Sequence, residues 1–178
     1  PHATIRRQRQ MCIRDRQFAR MPAPVLKKLD ARKLLTEQKM LLDPHSQVSL
    51  DVDLPGDDAP VYISADAGLM RQVITNLTKN SVENMQDNNV NAPKIKLSLQ
   101  ATDERAEIEV RDYGSGFPGD NTGTFLEPYV TTREKGTGLG LAIAQKIISD
   151  HFGEIRLDNH PEVGAVVTLS MPLAGGEE

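Results

Sequence analysis

One cysteine, Cys12, is all the thiol chemistry that this 178-residue chain possesses. A single thiol excludes an internal disulfide framework and fits a reducing cytoplasm. Long apolar runs are missing as well. None approaches the roughly 18 residues that a membrane-spanning helix needs, and no signal peptide opens the chain, so the segment is expected to be soluble. Nor is there a net basic charge: the formal value of −4 removes the general case for nucleic-acid binding, which favours a basic face. Internal repeats are absent. The charges are unevenly placed: Arg6, Arg7, Arg9, Arg14, Arg16 and Arg20 crowd the start and read as a solvated helix or a membrane-proximal remnant.

What the chain does have is two glycine clusters about twenty residues apart. The first, Asp112-Tyr-Gly-Ser-Gly-Phe-Pro118, follows the alternating run Ala106-Glu-Ile-Glu-Val-Arg-Asp112, which reads as a half-buried strand. The second, Lys135-Gly-Thr-Gly-Leu-Gly-Leu141, opens an apolar periodic run to Ile148 that reads as a helix. Glycines at such junctions let backbone N–H groups approach an anion, and a helix N-terminus adds favourable partial charge. A phosphate-bearing ligand between a strand end and a helix start is the first expectation.

The length allows one ordinary domain plus an appendage. Residues 1–20 carry too thin an apolar stripe for an independent helix, and Met11-Cys-Ile-Arg-Asp-Arg16 breaks its pattern. The prolines of Phe18-Ala-Arg-Met-Pro-Ala-Pro24 then mark a linker. Asp30 caps an expected helix from Ala31 to about Leu42, stopped by Asp43-Pro44. Val48–Leu54 and Val61–Ile63 read as strands, and Asp66 caps the longest helix, to about Gln86. Lys94–Gln100 and Ala106–Asp112 form a hairpin across Thr102–Arg105. Gly153 is read as the stop of the last helix. Glu154–Asp158 and Ala165–Met171 make a second hairpin, turned at His160–Gly164. The sum is an α+β two-layer sandwich, with helices on one face of a mixed, mostly antiparallel sheet.

On the long helix, Met70, Ile74, Leu77, Ser81 and Met85 share one stripe, with Arg71, Gln72, Thr75, Lys79 and Gln86 opposite. Asn76, Asn80 and Asn84 form a row at one flank, though asparagine is a mediocre helix former. Asn84 alone reads as a solvated edge. Asn76 and Asn80 together suit Mg²⁺, a hard cation that shares its sites with waters and phosphates. Asp112, acceptor-only when ionised, suits an exocyclic amine such as that of adenine, and guanine carries one too. The stretch Phe125–Gly136 reads as a lid, with Phe125 and Tyr129 as apolar anchors. Its Thr131, Thr132, Arg133 and Lys135 bring hydroxyls and cations to where phosphates would sit.

These pieces, in this order, resemble the catalytic ATP-binding domain of two-component sensor histidine kinases, within the GHKL ATPase superfamily. Arg71–Asn84 looks like the N box, Asp112–Gly116 the G1 box, Phe125–Tyr129 the F box, and Gly136–Gly140 the G2 box. Phe18–Pro22 and Leu29-Asp30 most resemble nitrogen-regulation kinases of the NtrY type. The resemblance implies a Bergerat-type fold that binds ATP and Mg²⁺. Asp112 would take the adenine amine, with Gly114 and Gly116 letting the base approach; Asn80 would hold Mg²⁺, and Asn76 would assist at metal and phosphates. Lys135 or Arg133 would reach the β- or γ-phosphate. Thr132, Gly136, Thr137, Gly138, Leu139, Gly140 and Leu141 would complete the phosphate cradle.

In hydrolytic relatives such as gyrase and Hsp90, a glutamate that activates water stands where this chain has Asn76. Asparagine cannot act as that base, which favours phosphoryl transfer to a protein, achieved by positioning and charge neutralisation. The family's acceptor is a histidine followed by Glu or Asp in an upstream dimerisation hairpin. His2, His45, His151 and His160 all lack that context, so autophosphorylation of this fragment is not expected. The implied organisation is a dimerisation-helix remnant and linker over 1–24, a catalytic domain over 25–173 and a disordered tail over 174–178. Implied partners are the dimerisation domain, a response regulator and, in the parent, a second copy of the chain as a homodimer. A cytoplasmic domain is implied, in a parent anchored in the inner membrane through its N-terminal part. Competing readings are an ATP-sensing module without transfer and a serine kinase of the anti-sigma type.

Overall fold

The computed structural model describes residues 21–41, 48–56, 58–132 and 136–175. The arginine-rich opening, the Asp43-Pro44 stop, and the cations Arg133 and Lys135 lie outside them. Seven strands are described: β1 Lys27–Asp30, β2 Ser49–Asp53, β3 Tyr62–Ala65, β4 Lys94–Ala101, β5 Arg105–Asp112, β6 Glu154–Asn159 and β7 Ala165–Pro172. Three α-helices join them, α1 Ala31–Leu41, α2 Ala67–Asp87 and α3 Gly140–Asp150, with one 3₁₀ turn at Thr122–Leu126.

Strand alternation builds the layers. In β4 and β5 every second residue (Ile95, Leu97, Leu99; Ala106, Ile108, Val110) is buried, while Lys94, Lys96, Glu107 and Glu109 sit on the opposite face. The five-stranded sheet runs β2-β4-β5-β7-β6, with β2 parallel to β4 and every other neighbour antiparallel. Its apolar face packs on Met70, Ile74, Leu77 and Met85 of α2 and on Ile147 and Ile148 of α3, in one continuous core. The sandwich and its mixed sheet match the expectation, and so does α2: its predicted stripe is buried and its opposite row exposed.

Three local features differ. β1 carries no alternation and forms because it pairs with β3 in a separate two-stranded sheet. Tertiary pairing, not propensity, makes that strand. Helix α3 ends at Asp150 with His151 as its C-cap, and the left-handed position falls on Phe152, one residue before Gly153: Phe152 has φ 58, and the N–H groups of Phe152 and Gly153 donate to Ser149 O and Ile148 O. Gly153 is needed for room, since a Cβ there would lie 2.7 Å from Met171 Sδ and 2.9 Å from Ser170 O. Ala174, assigned by sequence to the tail, still donates its N–H to Tyr62 O at 2.8 Å.

Asp66 ties α2 to both ends of its surroundings. Its Oδ1 accepts from the Gly68 and Leu69 N–H groups, and its Oδ2 accepts from the N–H of Val25, just after the linker, at 3.0 Å. Its own N–H donates to Nε2 of the fully buried His151 at 3.0 Å, so Nδ1 carries the proton toward Ile147 O. The Val25 N–H first, then that of Leu69, hold the Asp66 carboxyl below the usual carboxylate range; burial pushes the other way, and the Gly68 N–H adds a smaller lowering. Asp66→Ala should destabilise the domain by about 1–2 kcal/mol, or roughly 3–6 °C in Tm. A lowered folded pKa makes this contribution complete above the unfolded value and lost as the pH falls through the folded one. Calorimetric Tm differences between variant and wild type should therefore shrink below about pH 4.

Candidate nucleotide-binding site

Residues from α2, the end of β5 and the start of α3 surround one cavity of about 550 Å³. Helix α2 gives it the asparagine row. Because Met70, Ile74, Leu77 and Met85 are drawn into the core, the flank of the helix that carries Asn76, Asn80 and Asn84 is turned to the cavity. Among the described residues no partner takes the carboxamides of Asn76 and Asn80. Asn84 is only partly a solvated edge. It is half-buried, its Oδ1 accepts from Asn88 Nδ2 at 3.0 Å, and its Nδ2 lies 3.1 Å from where a Cβ on Gly114 would stand.

Asp112 closes the β5 side and is only 4% exposed. Its Oδ1 accepts two backbone N–H groups, from Gly114 and Ala165, both at 3.0 Å. That leaves Oδ2 as the available acceptor on the cavity side.

Opposite stands the start of α3. Leu139 at its N-cap supplies no side-chain hydrogen bond, so the first N–H groups of the helix keep their positive partial charge uncapped. Leu139 itself is buried at 1%, so it faces the core and offers the site only its backbone. Gly140 brings the helix against Asn80, where a Cβ would lie 3.2 Å from Asn80 Nδ2. The lid root is pinned to this glycine cluster by the Tyr129 N–H, which donates to Gly138 O at 2.9 Å.

Asn76, Asn80, Asp112, Gly116, Thr132, Gly136, Thr137, Gly138, Leu139, Gly140 and Leu141 thus gather around one space, with Gly114 packed beneath Asp112. Phe125 is half-buried and stacks on Phe117 at 5.5 Å and 29°. Tyr129 is 55% exposed, and its backbone anchors the segment through the bond to Gly138. Two contributors went unread in the sequence, Asn159 and Gly164. A weak signal for the first existed: Asn159 continues the alternation Ile155, Leu157, though it stands at the exposed end of the strand.

The cavity can therefore hold a planar base with an amine at Asp112 and an anionic chain at α3. No helix among the described residues is long and apolar enough to cross a membrane. Residues 65–175 match the model of the histidine kinase-, DNA gyrase B-, and HSP90-like ATPase family. The nitrogen regulation protein NtrY of Azorhizobium caulinodans is 36% identical over 163 residues, which cover 89% of this chain and 21% of that protein. The chain thus spans about a fifth of the length of that relative. Among solved structures, the nucleotide-free catalytic domain of histidine kinase ThkA superposes with a TM-score of 0.71 at 25% identity, covering 83% of this chain and 95% of that one. Full-length ShkA in complex with AMPPNP gives a TM-score of 0.76 at 26% identity, over 91% of this chain and 35% of that one. The fold agrees with these solved relatives, and the chain belongs to the histidine kinase-, DNA gyrase B-, and HSP90-like ATPase family.

Proposed function

We propose that the chain is the ATP-binding catalytic part of a sensor histidine kinase, which in its parent passes the γ-phosphoryl group to a histidine of a dimerisation domain for relay to a response regulator. The observation that carries the reading is the uncapped start of α3 set against the Asn80 carboxamide, lining the same 550 Å³ cavity as the Asp112 carboxylate. A base and a polyphosphate need those two ends. The relative that was crystallised with AMPPNP supports the same ligand class.

Asp112 Oδ2 would accept the adenine amine. The α3 N–H groups would hold phosphate oxygens, with Gly136, Gly138 and Gly140 letting the backbone come close. Arg133 and Lys135 would add cations. Asn80 and Asn76 fit Mg²⁺: both are neutral oxygen donors, unpartnered among the described residues, and the missing Cβ at Gly140 leaves a space beside Asn80. Bound Mg²⁺ would neutralise charge on the phosphates. Asn76 offers no base for activating water, so the site would orient the γ-phosphoryl group for an incoming imidazole rather than hydrolyse it. In the parent, the membrane would be met only through parts upstream of this domain.

The test combines this chain with labelled ATP and a separate dimerisation domain from a related kinase, titrated with Mg²⁺. Label on that domain's histidine is expected. Asn80→Asp, a carboxylate ligand, should move the half-maximal Mg²⁺ concentration down by roughly an order of magnitude. An identical titration would remove Asn80 from the metal. ATP binding with no transfer would leave a sensing module instead.

A further inference from the structure

The G1 stretch Asp112–Phe117 is held at both of its ends by one rung of the β6–β7 hairpin. That rung is the register pair Asn159↔Ala165, the last before the turn. From one side of it, the Ala165 N–H donates to Asp112 Oδ1 at 3.0 Å. From the other, the Asn159 carboxamide clamps the Phe117 backbone in both directions. Its Oδ1 accepts from Phe117 N at 2.7 Å, and its Nδ2 donates to Phe117 O at 2.8 Å.

This pair of bonds copies a strand ladder with a single side chain, and asparagine suits it because it carries one acceptor and one donor side by side. The surroundings are built to the same plan. A Cβ on Gly116 would stand 2.6 Å from Asn159 Oδ1, so a side chain there would push the carboxamide out of its clamp. Gly164, at φ +95, lets the turn press on Asp112, where a Cβ would meet Asp112 O at 1.8 Å. On the open face of the sheet, Arg111 Nη2 donates to Val163 O at 3.3 Å and holds the turn from outside. Phe117, once clamped, stacks on Phe125 at 5.5 Å, and both rings line the cavity. Thr122 Oγ1 donates to Leu157 O on the same strand, so β6 supports the 3₁₀ turn that carries Phe125 as well.

We infer that Asn159 is a positioning residue for nucleotide binding: through Phe117 it fixes the apolar wall against which the base lies, at a set distance from the Asp112 carboxylate. The inference rests on the ATP-binding reading above and adds to it a residue outside the four sequence motifs.

Isothermal titration of the 178-residue chain with ATP and with ADP tests it, alongside calorimetric Tm. Asn159→Ala should weaken both nucleotides by about tenfold, the worth of one or two hydrogen bonds. The loss should be equal for the two because the γ-phosphate end is untouched. Asn159→Asp has the same size, keeps the acceptor for Phe117 N–H and sets an oxygen against Phe117 O. Its loss at pH 7.5 should be at least as large, which a packing role does not produce. Wild-type affinity in either variant overturns the inference, even where Tm has fallen, because the residue then serves only stability. Absence of ATP binding by the wild type removes the nucleotide reading, and this inference with it.

Discussion

Asp112→Asn is expected to lower ATP affinity by about 100-fold, the upper end for a hydrogen bond to a charged acceptor, while the domain stays folded. Two oxygens of one carboxylate do different work here. Oδ1 is committed to the Gly114 and Ala165 N–H groups, and Oδ2 is left for the ligand. Asparagine has one oxygen to offer. If that oxygen takes the place of Oδ1, the new NH₂ faces the cavity and meets the nucleotide amine, donor against donor. If the amide turns round, its NH₂ meets two buried backbone donors, each of which loses its acceptor at about 1–3 kcal/mol. The first orientation is the cheaper for the free protein, so binding bears the loss. Calorimetry with ATP reads the affinity, and a thermal scan of the free protein separates the two orientations. Unchanged affinity with a lowered Tm would show that Asp112 serves the loop and not the base.

How far this site was legible in the sequence depended on whether a residue acts through local pattern or through a distant partner. The α2 stripe follows from 3.6-residue periodicity, and the asparagine flank follows from the stripe; both stand where the period puts them. Asp66 as a cap, the two hairpins and the order of the glycine clusters are local in the same sense. The β1 strand, by contrast, exists through pairing with β3 more than thirty residues away, and nothing within Lys27–Asp30 announces it. Asn84 is half-covered for a related reason: Gly114 lies beside it, and the fold brings the two together where the sequence does not. Asn159 falls between the two cases. Its alternation with Ile155 and Leu157 puts it on their face of the strand, but at the exposed end of β6, where burial does not oblige a polar side chain to find a partner. The identity of the partner, the Phe117 backbone, required the sheet register.

Gly138→Ala should abolish most nucleotide binding without unfolding the domain, and the reason is a backbone-to-backbone contact. Gly138 has φ +65, and a Cβ there would lie 2.5 Å from Tyr129 C, 2.8 Å from Tyr129 Cα and 2.8 Å from Val130 N. Side chains can swing aside; these atoms belong to the lid root and move only if the root moves. Tyr129 is itself left-handed at φ 69 and donates its N–H to Gly138 O, so the methyl group forces apart two segments that hold each other in place. The sheet and the α2 stripe lie outside this contact, so Tm should fall by no more than a few degrees. ATP affinity should fall by at least about 30-fold, as expected when backbone donors shift away from a charged ligand. Left-handed strain alone must be separated from the clash, and Gly119 provides the control. Its φ is +76, yet nothing lies within 4 Å of the Cβ position. Gly119→Ala therefore carries the conformational cost of about 1–2 kcal/mol without the collision, and its ATP affinity should match that of the wild type. Equal losses in the two variants would place the effect in backbone strain and leave the Tyr129–Gly138 contact without a part in binding.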